Sequence, residues 1–288
     1  MELHNQIMGR LVRIASVSAL LLGLLGLNQS ALAGIANTKH NLGTGAPAGQ
    51  NRVTAGTDEI CVFCHTPHAA DTSAPVPLWN KALPSGAGYT TYASLNSSTI
   101  DGAILSVGSV SLACLSCHDG TQAMDNIINA PGSGGYDATG GGAGGLAYTW
   151  DTSTGRVNAQ GVMQNASNTL AMLGTDLSND HPIGIQYCGG GPNATNATAA
   201  CRDTDFKGSG TGLQNATINT NLVWWVDTAA GTAGQRDKTD MILYTRSFSG
   251  TNGPSVECAS CHDPHSENST FLRIANTGSA VCLACHVK

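Results

Sequence analysis

Four pentapeptides in this chain share one spacing, Cys-x-x-Cys-His: Cys61 to His65 (CVFCH), Cys114 to His118 (CLSCH), Cys258 to His262 (CASCH) and Cys282 to His286 (CLACH). On a helical turn this spacing puts both sulfurs on one edge of a flat ligand and the following imidazole beneath its centre. That is the geometry in which two thiols add across the two vinyl groups of haem and a histidine takes the iron from the proximal side. Cys61, Cys64, Cys114, Cys117, Cys258, Cys261, Cys282 and Cys285 are therefore expected to carry four covalent haem c groups, with His65, His118, His262 and His286 as proximal ligands. Zinc knuckles and thioredoxin-like redox sites also use CxxC. Neither explains a histidine directly after every pair.

The chain has nine histidines. His4 lies in a segment that reads as an export signal, and four are proximal. His40, His68, His181 and His265 remain, one for each iron, and are expected as distal ligands. His68 and His265 each sit three residues after a proximal histidine, in CHTPH and CHDPH. A residue so close on a short turn cannot fold round to the other face of the same ring, so each is expected to serve a different iron. One arrangement gives His265 to the fourth haem and His68 to the second, leaving His40 and His181 for the first and third; spacing leaves the pairing open. Met124, Met163, Met172 and Met241 could compete for iron, but none has a distinguishing context. Bis-histidine ligation implies low-spin, low-potential iron with no open coordination position. Such iron carries electrons and does not bind substrate, so no enzyme activity is expected.

Arg10 and Arg13 precede an apolar run from Ile14 to Leu27, and Ala31-Leu32-Ala33 fits a small-x-small cleavage site. The run is too short for a relaxed membrane span, so residues 1–33 are expected to be a cleaved signal peptide. Export agrees with haem c, which bacteria attach outside the cytoplasm. No later run is long enough to cross a bilayer, so no membrane span is expected in the mature chain. The net charge of −6 argues against a nucleic-acid partner.

Charged residues make up 11% of the chain and aromatics 5%, against 36 glycines. So few large apolar side chains offset chain entropy poorly. The expected fold is a mostly irregular, coil-rich multihaem cytochrome c. It has short helices at the CxxCH sites and a few β-strands, with a haem stack replacing a hydrophobic core. Of the ten cysteines, the motifs leave Cys188 and Cys201, which flank the loop GGGPNATNATAA. In an exported protein these two are expected to form a disulfide.

CVFCHTPH and CASCHDPH are long versions of the motif, and each is followed by a short one. This repeat divides residues 34–288 into a two-haem module at 34–118, a Gly/Asn/Thr-rich insert at 119–256 and a second two-haem module at 257–288. The insert opens on GSGGYDATGGGAGG. It holds expected strands at Leu146–Trp150 and Asn221–Val226, the latter with Trp224 and Trp225 on opposite faces, one of them toward solvent. It also holds His181 in DHPIG, where the following proline stiffens the loop.

Taken together, Asn37-Thr38-Lys39-His40-Asn41-Leu42, EICVFCHTPH, Pro77-Leu78-Trp79-Asn80, CLSCHDG, DHPIG and CASCHDPH resemble the OmcE-type tetrahaem cytochrome filaments, the extracellular nanowires of metal-reducing bacteria. The likeness runs from residue 37 to the C-terminus, and within the insert it is carried only by DHPIG. It implies four bis-histidine haems in a row and head-to-tail homopolymers in which one distal histidine is donated by the adjacent subunit. His68 is favoured for that role, with His40 second. Only two residues follow His286, so the fourth haem is expected at a chain end, which supports a trans ligand. Other multihaem cytochromes and extracellular electron acceptors are the expected redox partners. The competing functions are a monomeric periplasmic tetrahaem shuttle with the same ligands, and a multihaem reductase, which would need one iron with an open face.

Overall fold

The computed structural model describes residues 34–132, 134–140, 145–166 and 170–287. The expected signal peptide lies outside them, as does part of the glycine-rich loop.

Val53–Ala55 (β1) pairs antiparallel with Thr149–Trp150 (β2), laying part of the insert beside the segment that leads into the first motif. The larger sheet has five antiparallel strands in the order β3-β7-β6-β5-β4. These are Ile185–Gln186 (β3), Leu213–Ile218 (β4), Asn221–Val226 (β5), Met241–Phe248 (β6) and Thr251–Val256 (β7). Two tight hairpins build it. Asn219 and Thr220 turn β4 into β5 with φ of 48° and 66°, and Ser249 and Gly250 turn β6 into β7 with φ of 51° and 85°. Positive φ at both central residues is the turn whose twist matches that of paired strands.

Three short helices carry motif cysteines: Ser109–His118 (α1), Cys258–Cys261 (α2) and Ala280–Cys285 (α3). The first motif begins on a single 3-10 turn, Cys61–Phe63. Among the described residues no helix is long and apolar enough to cross a membrane.

Two side-chain clusters form most of the interior. One gathers Leu42, Val53, Phe63, Met124, Ile127 and Trp150, with Cys64 and Cys117 packed against it. The other gathers Tyr187, Leu213, Trp224, Val226, Met241 and Leu243, with Cys261 and Cys285 at its edge. Burying each of the larger side chains stabilises by roughly 1.5–3 kcal/mol.

These observations correct the expected fold class. The protein is not a coil-rich wrapping in which a haem stack replaces the core. It is a mixed fold with a five-stranded antiparallel sheet, short helices and side-chain cores of its own. Composition averaged over the chain hides how densely β5 and β6 concentrate the few bulky residues it has. The tryptophans of β5 are corrected too. Trp224 and Trp225 are both buried, because β5 lies between β4 and β6 and is covered on both faces.

Candidate functional site

In motifs 1, 3 and 4 the histidine amide donates to the carbonyl of the first cysteine, His65 to Cys61 at 2.8 Å, His262 to Cys258 at 3.2 Å and His286 to Cys282 at 2.9 Å. Motif 2 lies wholly within α1. Each motif is thus one helical turn, the shape its spacing requires.

Three proximal rings are held by backbone carbonyls. His65 Nδ1 donates to Pro77 O at 2.8 Å, His118 Nδ1 to Ala171 O at 2.6 Å and His262 Nδ1 to Thr270 O at 2.7 Å. A carbonyl can only accept, so the proton sits on Nδ1 and the Nε2 lone pair is left for a metal. His286 is packed differently. The Phe206 ring lies 4.2 Å from its own at 46°, and segment 205–207 brackets the motif through Val287 N to Asp205 O and Lys207 N to Cys285 O, both 2.8 Å.

Two of the four distal candidates face proximal rings. The rings of His65 and His265 are 6.1 Å apart and 16° from parallel. Those of His40 and His118 are also 6.1 Å apart, at 74°. Two metal–nitrogen bonds of ~2 Å, plus ~1.1 Å from nitrogen to ring centre on each side, place trans imidazoles on one metal about 6.2 Å apart. Both ring separations match that spacing. The pairs differ from the within-half arrangement that spacing offered for His265. His265 belongs to the third motif and faces the first, while His40 reaches the second.

The remaining two candidates are exposed. His181 Nδ1 contacts Pro182 O at 3.1 Å, and Gly184 of its loop is tied to Val256 and Leu105. The carbonyl of His68 accepts from Thr66 Oγ1 at 3.0 Å and Asn129 Nδ2 at 2.9 Å, which fixes its backbone while the ring stays outside. Among the described residues neither ring pairs with that of His262.

Electrostatics favour neutral ligands. Burial, reinforced by His118, lowers His40 to about 4, and burial likewise lowers His118 despite its bond to Ala171. His265 is the exception. Asp263, 3.3 Å from its Nδ1, raises its pKa, and a carboxylate behind a ligating imidazole makes it a more basic donor.

Burial pushes the Cys64 and Cys285 thiols up to about 12 and Cys261 up to about 11. No three His, Cys, Asp or Glu side chains converge as a metal cluster among the described residues. Paired imidazoles at that spacing, beside the motif cysteines, fit haem c, whose ring would supply the remaining nitrogens.

The motif sulfurs are neighbours in chain order. Cys64 lies within electrostatic reach of Cys117. Cys114 is likewise an electrostatic neighbour of Cys258. Cys261 is near Cys282 and Cys285. A buried clasp holds the middle junction. Glu257, just after β7 at the N-cap of α2, accepts from Arg246 of β6 at 2.8 Å, Ser111 of α1 at 2.6 Å and Ser255 at 3.0 Å. Ser111 in turn accepts from Cys258 N at 3.1 Å. Sequence reasoning missed this clasp and the carbonyl partners of the proximal rings. Only Ser260, three residues after Glu257 in a reciprocal capping box, marked Glu257 as more than a surface charge.

Cys188 and Cys201 are joined as a disulfide with Cα atoms 5.4 Å apart. It ties Tyr187 of the second cluster to the segment that leads to Phe206.

Residues 253–288, which contain motifs 3 and 4, match the family described as Doubled CXXCH motif. No curated protein matches the chain. The doubled motif points to a c-type cytochrome-like protein with covalently bound haem, an electron carrier in type.

Proposed function

We propose that all four motifs carry haem c with bis-histidine ligation, and that the chain conducts electrons along the row rather than catalysing a reaction. When bound, haem supplies a one-electron ferric/ferrous couple. The residues do the rest. Cysteine pairs would fix each ring edge, backbone carbonyls hold three of the four proximal imidazoles with Nε2 forward, and His40 and His265 would close the opposite faces of two irons. The observation that carries this reading is the pair of ring separations, His65 to His265 and His40 to His118, both 6.1 Å. The electrostatic proximity of motif cysteines in chain order supports a continuous path.

We further propose that the protein is exported and polymerises head to tail outside the cell. His40, already beside His118, serves its own chain. His68, exposed on a fixed backbone, is the ligand offered to the adjacent subunit. Apolar side chains are exposed near both ends of the row: Leu78 by the first motif at 53%, and Leu283 and Val287 by the fourth at 42% and 53%. An end-to-end contact between unlike surfaces, without closing rotation, gives an open filament. The alternative, a periplasmic shuttle, uses the same ligands in a monomer.

Two measurements test the reading. A pyridine haemochrome assay is expected to give four haems per chain, and fewer would overturn the conduction row. Cryo-EM of secreted material is expected to show filaments, and monomers alone at high concentration would leave the shuttle.

A further inference from the structure

We propose that Phe271 sets the ring plane of His40, and so gives the second haem near-perpendicular axial imidazoles and a higher reduction potential than the first. The inference rests on the bis-histidine reading of the two pairs above and deepens it.

The two pairs have the same ring separation and opposite twist, 16° for His65 and His265 against 74° for His40 and His118. One plane of the twisted pair is fixed by the 2.6 Å bond from His118 to Ala171 O. His40 has a weaker tether, 3.3 Å from Nδ1 to Pro264 O, beyond the usual range for such bonds. What lies flat against His40 is the ring of Phe271, 4.0 Å away and 17° from parallel. A stacked aromatic resists tilt of its partner about the axis that one long hydrogen bond leaves free.

Phe271 is itself built in. Thr270 and Phe271 are consecutive non-glycine residues with φ of 53° and 59°. That conformation costs free energy and persists only where the surroundings over-determine it. Here Phe271 N donates to Asn268 O at 2.9 Å and its carbonyl accepts from Asp263 N at 2.8 Å. The carbonyl of Thr270 accepts from His262 Nδ1. One turn therefore aims the proximal ring of the third motif with one residue and the distal ring of the second with the next.

The consequence follows from orbital overlap. Each imidazole donates π density into the iron dπ orbital set by its ring plane. Parallel planes raise one dπ orbital above the other, which stabilises the ferric hole and yields a rhombic EPR signal. Perpendicular planes leave the two nearly degenerate, which removes that stabilisation, raises the potential and yields a large-gmax signal.

EPR of the ferric, haem-loaded full chain tests this. Wild type is expected to show both signal types. Phe271→Leu is expected to convert one haem's worth of large-gmax intensity to rhombic and to move one component of the potentiometric titration to lower potential. Phe271→Tyr keeps the stack and is expected to keep both. A wild type without a large-gmax species overturns the proposal, as does a Phe271→Leu protein with unchanged spectrum and potentials. Haemochrome counts separate the two levels. Fewer than four haems in wild type refutes the functional reading, whereas four haems with unmoved spectra refutes the role of Phe271 alone.

Discussion

His265 lies 6.1 Å from His65 with the two rings nearly parallel, although one belongs to the third motif and the other to the first. The second half of the repeat thus brings a histidine to the first motif, and the two halves are interlocked. Replacing His265 with alanine is expected to leave covalent haem unchanged, because the cysteines are untouched, and to open one axial position. The measurement is magnetic circular dichroism of the ferric protein, in which one haem turns high-spin. A spectrum that stays wholly low-spin would remove His265 from the ligand set.

His68→Ala separates assembly from haem attachment. Its ring is exposed, while its carbonyl is held by Thr66 and Asn129. Alanine leaves those backbone bonds in place and deletes only the imidazole. Filaments are expected to shorten or vanish in electron micrographs, with haem content per chain unchanged. Filaments of normal length would refute trans ligation by His68.

The local shape of the four motifs was legible in the sequence because it fits inside five residues: spacing alone fixes which side of a helical turn each sulfur and imidazole takes, and the last two motifs lie in the matched segment 253–288. Partner choice was not legible. Whether His265 faces His65 depends on how chain segments far apart in sequence fold together, and local spacing carries no trace of it. The sheet was half legible. Asn221–Val226 matches the strand expected there, but Gly253-Pro254 disguised β7, since proline removes a ladder donor. The structure tolerates it because β3 pairs only with Ser255 and Val256, so Pro254 lies one residue outside that ladder. Ser249-Gly250, a recognisable hairpin turn, was the missed signal.

Removing the disulfide is expected to cost stability. Cys188 and Cys201 close a loop with a separation of 13 residues, worth about 3 kcal/mol by loop entropy. The Cys188→Ser, Cys201→Ser double variant should lower the denaturation midpoint accordingly. Phe206 lies close after Cys201 and packs on His286, so any spectral change should be confined to one haem. An unchanged midpoint would argue against a stabilising bridge.

Glu257 offers a pH-dependent test of the buried clasp. It is 1% exposed, and burial holds its carboxyl above the ordinary range even though Ser111 and Arg246 pull it down. The folded protein therefore binds this proton more readily than the unfolded chain does. The resulting contribution is fully present below the ordinary glutamate range and is lost as pH rises through the folded value. Glu257→Gln should flatten that part of the stability curve. Glu257→Ala should do more harm. It leaves Arg246 without its carboxylate and strips Ser111 and Ser255 of an acceptor, a change expected to cost about 3–5 kcal/mol for a broken buried pair. Denaturant melts from mildly acidic to neutral pH measure both effects. If the alanine variant is as stable as wild type, the clasp does not hold α1 to α2.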